Sequence, residues 1–165
     1  MARVPVDDNV HERPVAGSGE LSRIAAQLVA EPWLWWPHVR YEESERYYTR
    51  VAVDESYEAW LLTWLPGQST GLHDHGGSSG AFVVVTGALT ETTVAPGGVH
   101  EVVRLLARPR VRTFGAAHLH DVANRGSVPA ISLHVYAPAL QTMRRYERID
   151  ERLRQVSEEK AGASW

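Results

Sequence analysis

Apolar residues recur with two different periods along this chain, and the change of period divides it. Between Gly19 and Ala30, the residues Leu21, Ile24, Ala25 and Leu28 fall at i, i+3, i+4 and i+7, the spacing of one helix face. Ser18 is the candidate cap of this short amphipathic helix, and Pro32 is its stop. Trp33, Trp35 and Trp36 follow as an aromatic knot before Pro37, which reads as a packing lid. From about Arg46 the pattern shortens to brief apolar runs separated by turn residues. Strands are expected at Tyr48–Val53, Tyr57–Leu65, Gly80–Thr86, Leu89–Ala95, His100–Leu106, Arg110–Phe114, His118–Ala123 and Ala130–Ala137. Pro96-Gly97-Gly98 and Asn124-Arg125-Gly126-Ser127 mark hairpin turns. Beyond Pro138 the chain becomes charged: Met143 to Tyr146 suits a last strand, and Arg148 to Lys160 suits a solvated helix.

Many short, evenly spaced strands predict an all-β sandwich or barrel, and a small barrel with inward histidines fits a jelly roll. The expected organisation is a loose leader over residues 1–18, then one domain over 19–165. That domain would hold the helix at 19–30, a barrel over about 46–146 and a charged tail or helix. The chain has 165 residues, enough to bury a sizeable core, and its 44% apolar and 22% charged content is that of a globular protein. A net charge of −3 with no basic block argues against nucleic acid as a partner. Neither a signal peptide nor a membrane span is legible, so cytoplasm is the expected location, with a monomer as the simplest state. Cysteine is absent, so any metal must be held by histidine and carboxylate.

The densest chemistry lies in Gly71-Leu72-His73-Asp74-His75-Gly76-Gly77-Ser78. Imidazoles at i and i+2 of an extended chain point to one face, where His73 and His75 can share a metal ion. The surrounding glycines, Gly67, Gly76, Gly77 and Gly80, suit a backbone bent around a site. A third ligand would come from His118 or His120, which share a face if both lie on a strand. Three neutral imidazoles leave a divalent ion its full charge and an open coordination face, which favours anionic ligands such as a thiolate. Ligand type alone allows Zn, Fe, Ni or Cu. In Ala130–Pro138, Ser132, His134 and Tyr136 alternate strictly with Ile131, Leu133 and Val135. The polar three then share a strand face and form a relay, with the hydroxyl on one ring nitrogen and the phenol on the other. Arg50 is a candidate for a bidentate grip on a substrate carboxylate, with Tyr48 beside it on the same face. Trp64, just before the Pro66-Gly67 bend, is a candidate pocket wall. His11, His38 and His100 fall in loops or turns and carry no assigned role.

Gly67, His73-x-His75, Gly80 and Gly87 together resemble the first metal motif of the cupin superfamily, with Gly80 where a glutamate is usual. About 45 residues on, His120-Asp121-Val122-Ala123-Asn124 resembles the end of the second cupin motif, and on that likeness His120 is the third ligand. The conjunction of Tyr48-Thr49-Arg50, Trp64, Pro66-Gly67-Gln68, His73-Asp74-His75, His120 and Ser132-Leu133-His134-Val135-Tyr136 is similar to the thiol dioxygenases, specifically bacterial-type cysteine dioxygenases. The resemblance spans about Tyr47 to Tyr146 and implies a cupin jelly-roll β-barrel. It also implies Fe(II) held by His73, His75 and His120, with Arg50 on the carboxylate of L-cysteine. Tyr136, backed by His134 and Ser132, would orient substrate and stabilise bound oxygen. The product would be cysteine sulfinic acid, with a small thiol and O2 as the partners. Some relatives carry a cysteine at the Gly80 position, cross-linked to the tyrosine matching Tyr136; here the phenol must work unmodified. The alternatives are a dioxygenase for 3-mercaptopropionate or another small thiol, a non-catalytic metal-binding cupin, and a zinc or nickel cupin.

Overall fold

A computed structural model describes residues 17–94, 101–107, 110–150 and 152–161. One helix, α1 (Ser18–Ala30), precedes two 3-10 turns, Pro32–Leu34 and Trp36–His38. Ten strands follow: β1 (Tyr47–Val53), β2 (Glu58–Trp64), β3 (Ser79–Thr86), β4 (Ala88–Val94), β5 (Glu101–Ala107), β6 (Val111–Phe114), β7 (His120–Ala123), β8 (Ala130–Ala137), β9 (Thr142–Ile149) and β10 (Arg152–Lys160). They form a five-stranded sheet in the order β1-β2-β8-β3-β6, a three-stranded sheet in the order β5-β4-β7, and the β9-β10 hairpin. Every named pairing is antiparallel. The protein is a mostly β jelly roll, as the short-strand pattern predicts.

The period-2 alternation of the central strands sorts their side chains onto two faces. Ala59, Leu61, Ala81, Val83, Ile131, Leu133 and Val135 face outward from the barrel and pack on Leu21, Ile24, Ala25 and Leu28 of α1. Burying Leu21, Ile24 and Leu28 contributes at most about 1.5–3 kcal/mol each. The opposite face carries Trp60, Leu62, Trp64, Phe82, Val84 and Tyr136, which meet Leu89 and Val122 of the smaller sheet. Both faces of β2 and β8 are therefore covered, which is why every residue of each is buried. This second cluster is the barrel interior, where the polar residues of β8 also point.

Several elements depart from expectation for identifiable reasons. Helix α1 begins at Ser18 itself, and its cap is Gly17, whose carbonyl takes the Glu20 and Leu21 N–H groups; no side chain caps it. Of the three tryptophans, only Trp35 is buried, with its indole N–H on the Leu28 carbonyl. Trp33 and Trp36 are exposed, so the knot is one anchor and two solvent-facing rings. The segment expected as a solvated helix is β10, the second arm of a hairpin that turns at Asp150 (φ 50°). The edge of β9 offers it a ladder, broken by one register shift between Gln155 and Ser157, and Glu159 meets Arg145 across the pair at 2.8 Å. A charged segment with weak periodicity follows whatever tertiary partner is present. The proposed leader (through residue 16) and the Pro96-Gly97-Gly98 turn lie outside the described residues, as do His11 and His100.

The loop carrying the histidine pair is tied to this frame at Gly76. Its φ is +58°, and a Cβ there would lie 2.6 Å from the Thr142 carbonyl oxygen. Gly76→Ala is expected to cost about 2–4 kcal/mol, from left-handed backbone strain and overpacking together. Urea unfolding measures it, and an unchanged midpoint would mean that the loop and β9 separate freely.

Candidate metal centre and active site

His73 and His75 do not lie on a regular strand. They sit in an extended segment clamped between β7 and β9. His73 exchanges both backbone hydrogen bonds with His120, at 2.9 and 3.0 Å, and the Asp74 N–H donates to the Arg144 carbonyl at 3.0 Å. The alternation expected of a strand survives because the chain is extended. Asp74 points away from its neighbours and takes hydrogen bonds from Arg144 Nε (3.2 Å), Tyr146 Oη (2.8 Å) and the Gly76 N–H (3.0 Å). With Asp74 pinned outward, both imidazoles turn into the barrel.

There they meet His120. Ring centroids are 4.9 Å apart for His73 and His75, 4.7 Å for His73 and His120, and 5.0 Å for His75 and His120. One nitrogen of each ring lies within 4.8 Å of the other two. His73 Nδ1 is held by the Gly71 carbonyl at 2.9 Å and His120 Nδ1 by Glu91 Oε1 at 3.0 Å, so each presents Nε2 to the centre. Both nitrogens of His75 are buried without a hydrogen-bond partner. Burial first, then neighbouring imidazoles, holds His73 and His75 well below the ordinary histidine value. Burial also lowers His120, although Glu91 pulls it back upward. Neutral nitrogens converging in a dry site, with one ring orphaned, fit a metal ion and little else.

His118 sits outside this triad. Its N–H closes a turn onto Gly115 ahead of β7, so it does not share a strand face with His120. Its Nε2 instead meets Glu91 Oε1 at 2.9 Å. Glu91 is fully buried and also takes Arg112 Nε on Oε2 at 2.8 Å. Burial would raise its pKa, but hydrogen bonds from His118, His120 and Arg112 prevail and hold it well below the usual carboxylate range. An anchored carboxylate behind a ligating imidazole fixes the ring's tautomer and orientation. Sequence reading passed over Glu91, yet alternation from Leu89 along β4 already placed it on the inward face.

Ser132, His134 and Tyr136 share the inward face of β8 as anticipated. Ser132 Oγ lies 2.9 Å from His134 Nε2, and Tyr136 Oη lies a longer 3.4 Å from His134 Nδ1. Trp64 completes the chain, donating its indole N–H to Ser132 Oγ at 2.9 Å. Ser132 Oγ can accept twice, but its own hydrogen has His134 Nε2 as its one acceptor among the described residues, and donating there leaves no buried hydroxyl proton unmet. Burial, above all, keeps His134 neutral. Its remaining proton is therefore on Nδ1, facing the phenol oxygen, and the phenol proton is left for the site. Tyr136 stays protonated, since burial pushes its pKa up strongly and the nearby Arg46 offsets this only in part.

Arg50 is half exposed and 3.5 Å from Glu58 Oε2, and Glu58 also holds the Leu140 N–H at 2.9 Å. Tyr48, partly buried, stands on the same β1 face against Trp60, at 6.2 Å. Arg46, one residue ahead of β1, is buried, and its guanidinium lies over the Trp64 ring at 5.1 Å. The same parity that selected Tyr48 and Arg50 would have selected it. Gly80 pairs with both Tyr136 and Phe114, and a Cβ there would sit 2.6 Å from Phe114 Cε2. The aromatic ring thus occupies the space that a cysteine side chain would need.

A jelly-roll barrel with a buried trihistidine centre beside a Ser–His–Tyr relay defines a cupin of the thiol dioxygenase kind. The chain belongs to the cysteine dioxygenase type I family, whose profile matches residues 8–149, and is an iron-dependent thiol dioxygenase. It is 26% identical to human cysteine dioxygenase type 1 over 141 residues, covering 78% of this chain and 69% of the human protein. Among solved structures, the TT1209 protein of Thermus thermophilus is 27% identical, with a TM-score of 0.54 over 61% of this chain and 90% of that one. A Klebsiella pneumoniae protein with a double-stranded β-helix domain shares the fold at 17% identity, with a TM-score of 0.55 over 73% and 92%. Among the described residues no helix is long and apolar enough to cross a membrane.

Two substitutions test this construction. Glu91→Gln should lower metal affinity about 10–100-fold in competition with a chromophoric chelator, and unchanged affinity would show that His120 needs no such anchor. Ser132→Ala removes the hydroxyl that donates to His134 Nε2, so the ring nitrogens should show mixed tautomers by 15N NMR of Zn(II)-substituted protein. A single Nδ1–H tautomer in that variant would remove Ser132 from the relay.

Proposed function

We propose that this protein is a non-haem Fe(II) cysteine dioxygenase, oxidising L-cysteine with O2 to cysteine sulfinic acid. The reading is carried by the three neutral, buried imidazoles, with His75 unsatisfied at both nitrogens, next to a protonated tyrosine. His73, His75 and His120 would hold the iron. Bound there, Fe(II) supplies Lewis acidity for a thiolate and a route for electrons from sulfur to dioxygen.

The remaining work belongs to the chain's own residues. Arg50 and Tyr48 receive the substrate carboxylate at the rim of the site, with Arg50 exchanging Glu58 for the incoming anion. Tyr136 offers its phenol proton toward the reacting atoms. Ser132, His134 and Trp64 fix the direction of that proton. Phe82, stacked on the His134 ring at 4.9 Å and 7°, keeps the relay flat and dry. The reaction balances without an external reductant: the thiol sulfur loses four electrons, dioxygen takes four, and both oxygen atoms end on sulfur.

Oxygen consumption by anaerobically purified, Fe(II)-loaded protein tests this reading, with products followed by mass spectrometry. One sulfinate per O2 from L-cysteine is the expected result. Uptake with 3-mercaptopropionate alone would keep the chemistry and replace the substrate. No uptake with either thiol would leave a metal-binding cupin without this activity.

A further inference from the structure

His73 and His120 are each oriented by a hydrogen bond on the nitrogen that faces away from the centre, to the Gly71 carbonyl at 2.9 Å and to Glu91 Oε1 at 3.0 Å. His75 has no such anchor, since both of its ring nitrogens are buried without a hydrogen-bond partner among the described residues. An imidazole free to turn about its side-chain bonds presents its nitrogen to a metal only part of the time. Something else must hold this ring. His73, His120 and Tyr136 approach it at 4.9, 5.0 and 5.3 Å, inclined by 76°, 68° and 34°. Phe114 is nearer and flatter than these three, stacked on His75 at 4.6 Å and 26°.

Strand pairing explains why Phe114 is there. It lies opposite Gly80 of β3, and a side chain on residue 80 would run into the far edge of the ring. Alternation along β6 sets Arg112 and Phe114 on one face: Arg112 holds Glu91, the anchor of His120, at 2.8 Å, and Phe114 meets His75. The phenyl ring is itself braced, because His118 stacks on it at 4.9 Å and 22° and is tied to Glu91 Oε1 at 2.9 Å. We propose that Phe114 is a positioning residue of the metal centre, whose ring face holds the His75 imidazole in its ligating orientation in place of a hydrogen bond. Glu91 then steadies two ligands, His120 directly and His75 through His118 and Phe114. The description of His75 as a ligand rests on the trihistidine reading above.

The test has two readouts. NMR of histidine-labelled, metal-free protein follows the His75 ring, whose signals are identified by their loss in His75→Gln. Competition with a chromophoric chelator measures Zn(II) affinity. In the unsubstituted protein the His75 ring protons should lie upfield, over the Phe114 face. Phe114→Leu, which stays apolar but has no ring face, should return them to ordinary positions and leave the His73 signals in place. It should also weaken Zn(II) binding about three- to tenfold. Ordinary positions in the unsubstituted protein, upfield signals that persist in the variant, unchanged affinity, or His73 moving as far as His75 would each overturn the proposal. Should Phe114→Leu fail to fold, Phe114→Met fills the space without a ring face, and the same outcomes decide. Absent Zn(II) binding by the unsubstituted protein defeats the metal-centre reading itself, whereas the metal-free spectra decide by themselves whether Phe114 holds the His75 ring.

Discussion

Two backbone hydrogen bonds exchanged between His73 and His120 hold this structure's chemistry in place. They join a glycine-rich segment of the first motif to the edge of β7, more than forty residues on in the chain. A reciprocal pair of this kind fixes the distance and the facing of the two residues at once. His75 follows, because Asp74 is pinned outward by Arg144, Tyr146 and the Gly76 N–H. With that bridge the three rings form a buried set with converging nitrogens.

Burial does the electrostatic work in the same place. It holds His73, His75, His120 and His134 below and Tyr136 above their ordinary values, the states that the proposed ligand and donor roles need. The one fully buried carboxylate touching the triad is Glu91, among the described residues, and it touches a distal nitrogen. It orients His120 without occupying the centre. Gly80 and Phe114 belong to this arrangement too, since the aromatic ring fills the volume that a tyrosine cross-link would require.

The barrel strands and the two polar motifs were legible because both rest on local periodicity. Alternation along Ala130–Ala137 put Ser132, His134 and Tyr136 on one face, and the structure brings them together on that face. The same rule, carried back one residue in β1 or applied along β4, would have reached Arg46 and Glu91. Of the C-terminal hairpin, the strand expected at Met143 to Tyr146 lies within β9, but β10 was not legible. Its residues are mostly charged or polar, and their conformation is decided by the edge of β9 rather than by their own pattern.

The sequence by itself determined the all-β class, the amphipathic helix that covers one sheet face, and the inventory of ligating and proton-holding side chains. Side-chain direction follows from an extended backbone, whatever the rest of the molecule does. Likeness to the second cupin motif already favoured His120 over His118, but only the tertiary structure decided which carboxylate orients it and which arginine is left without an ion pair among the described residues. Those outcomes depend on contacts between segments distant in the chain, such as His73 with His120 and Glu91 with Arg112. No local period encodes them, because desolvation and ion pairing are settled only when the sheets close on one another.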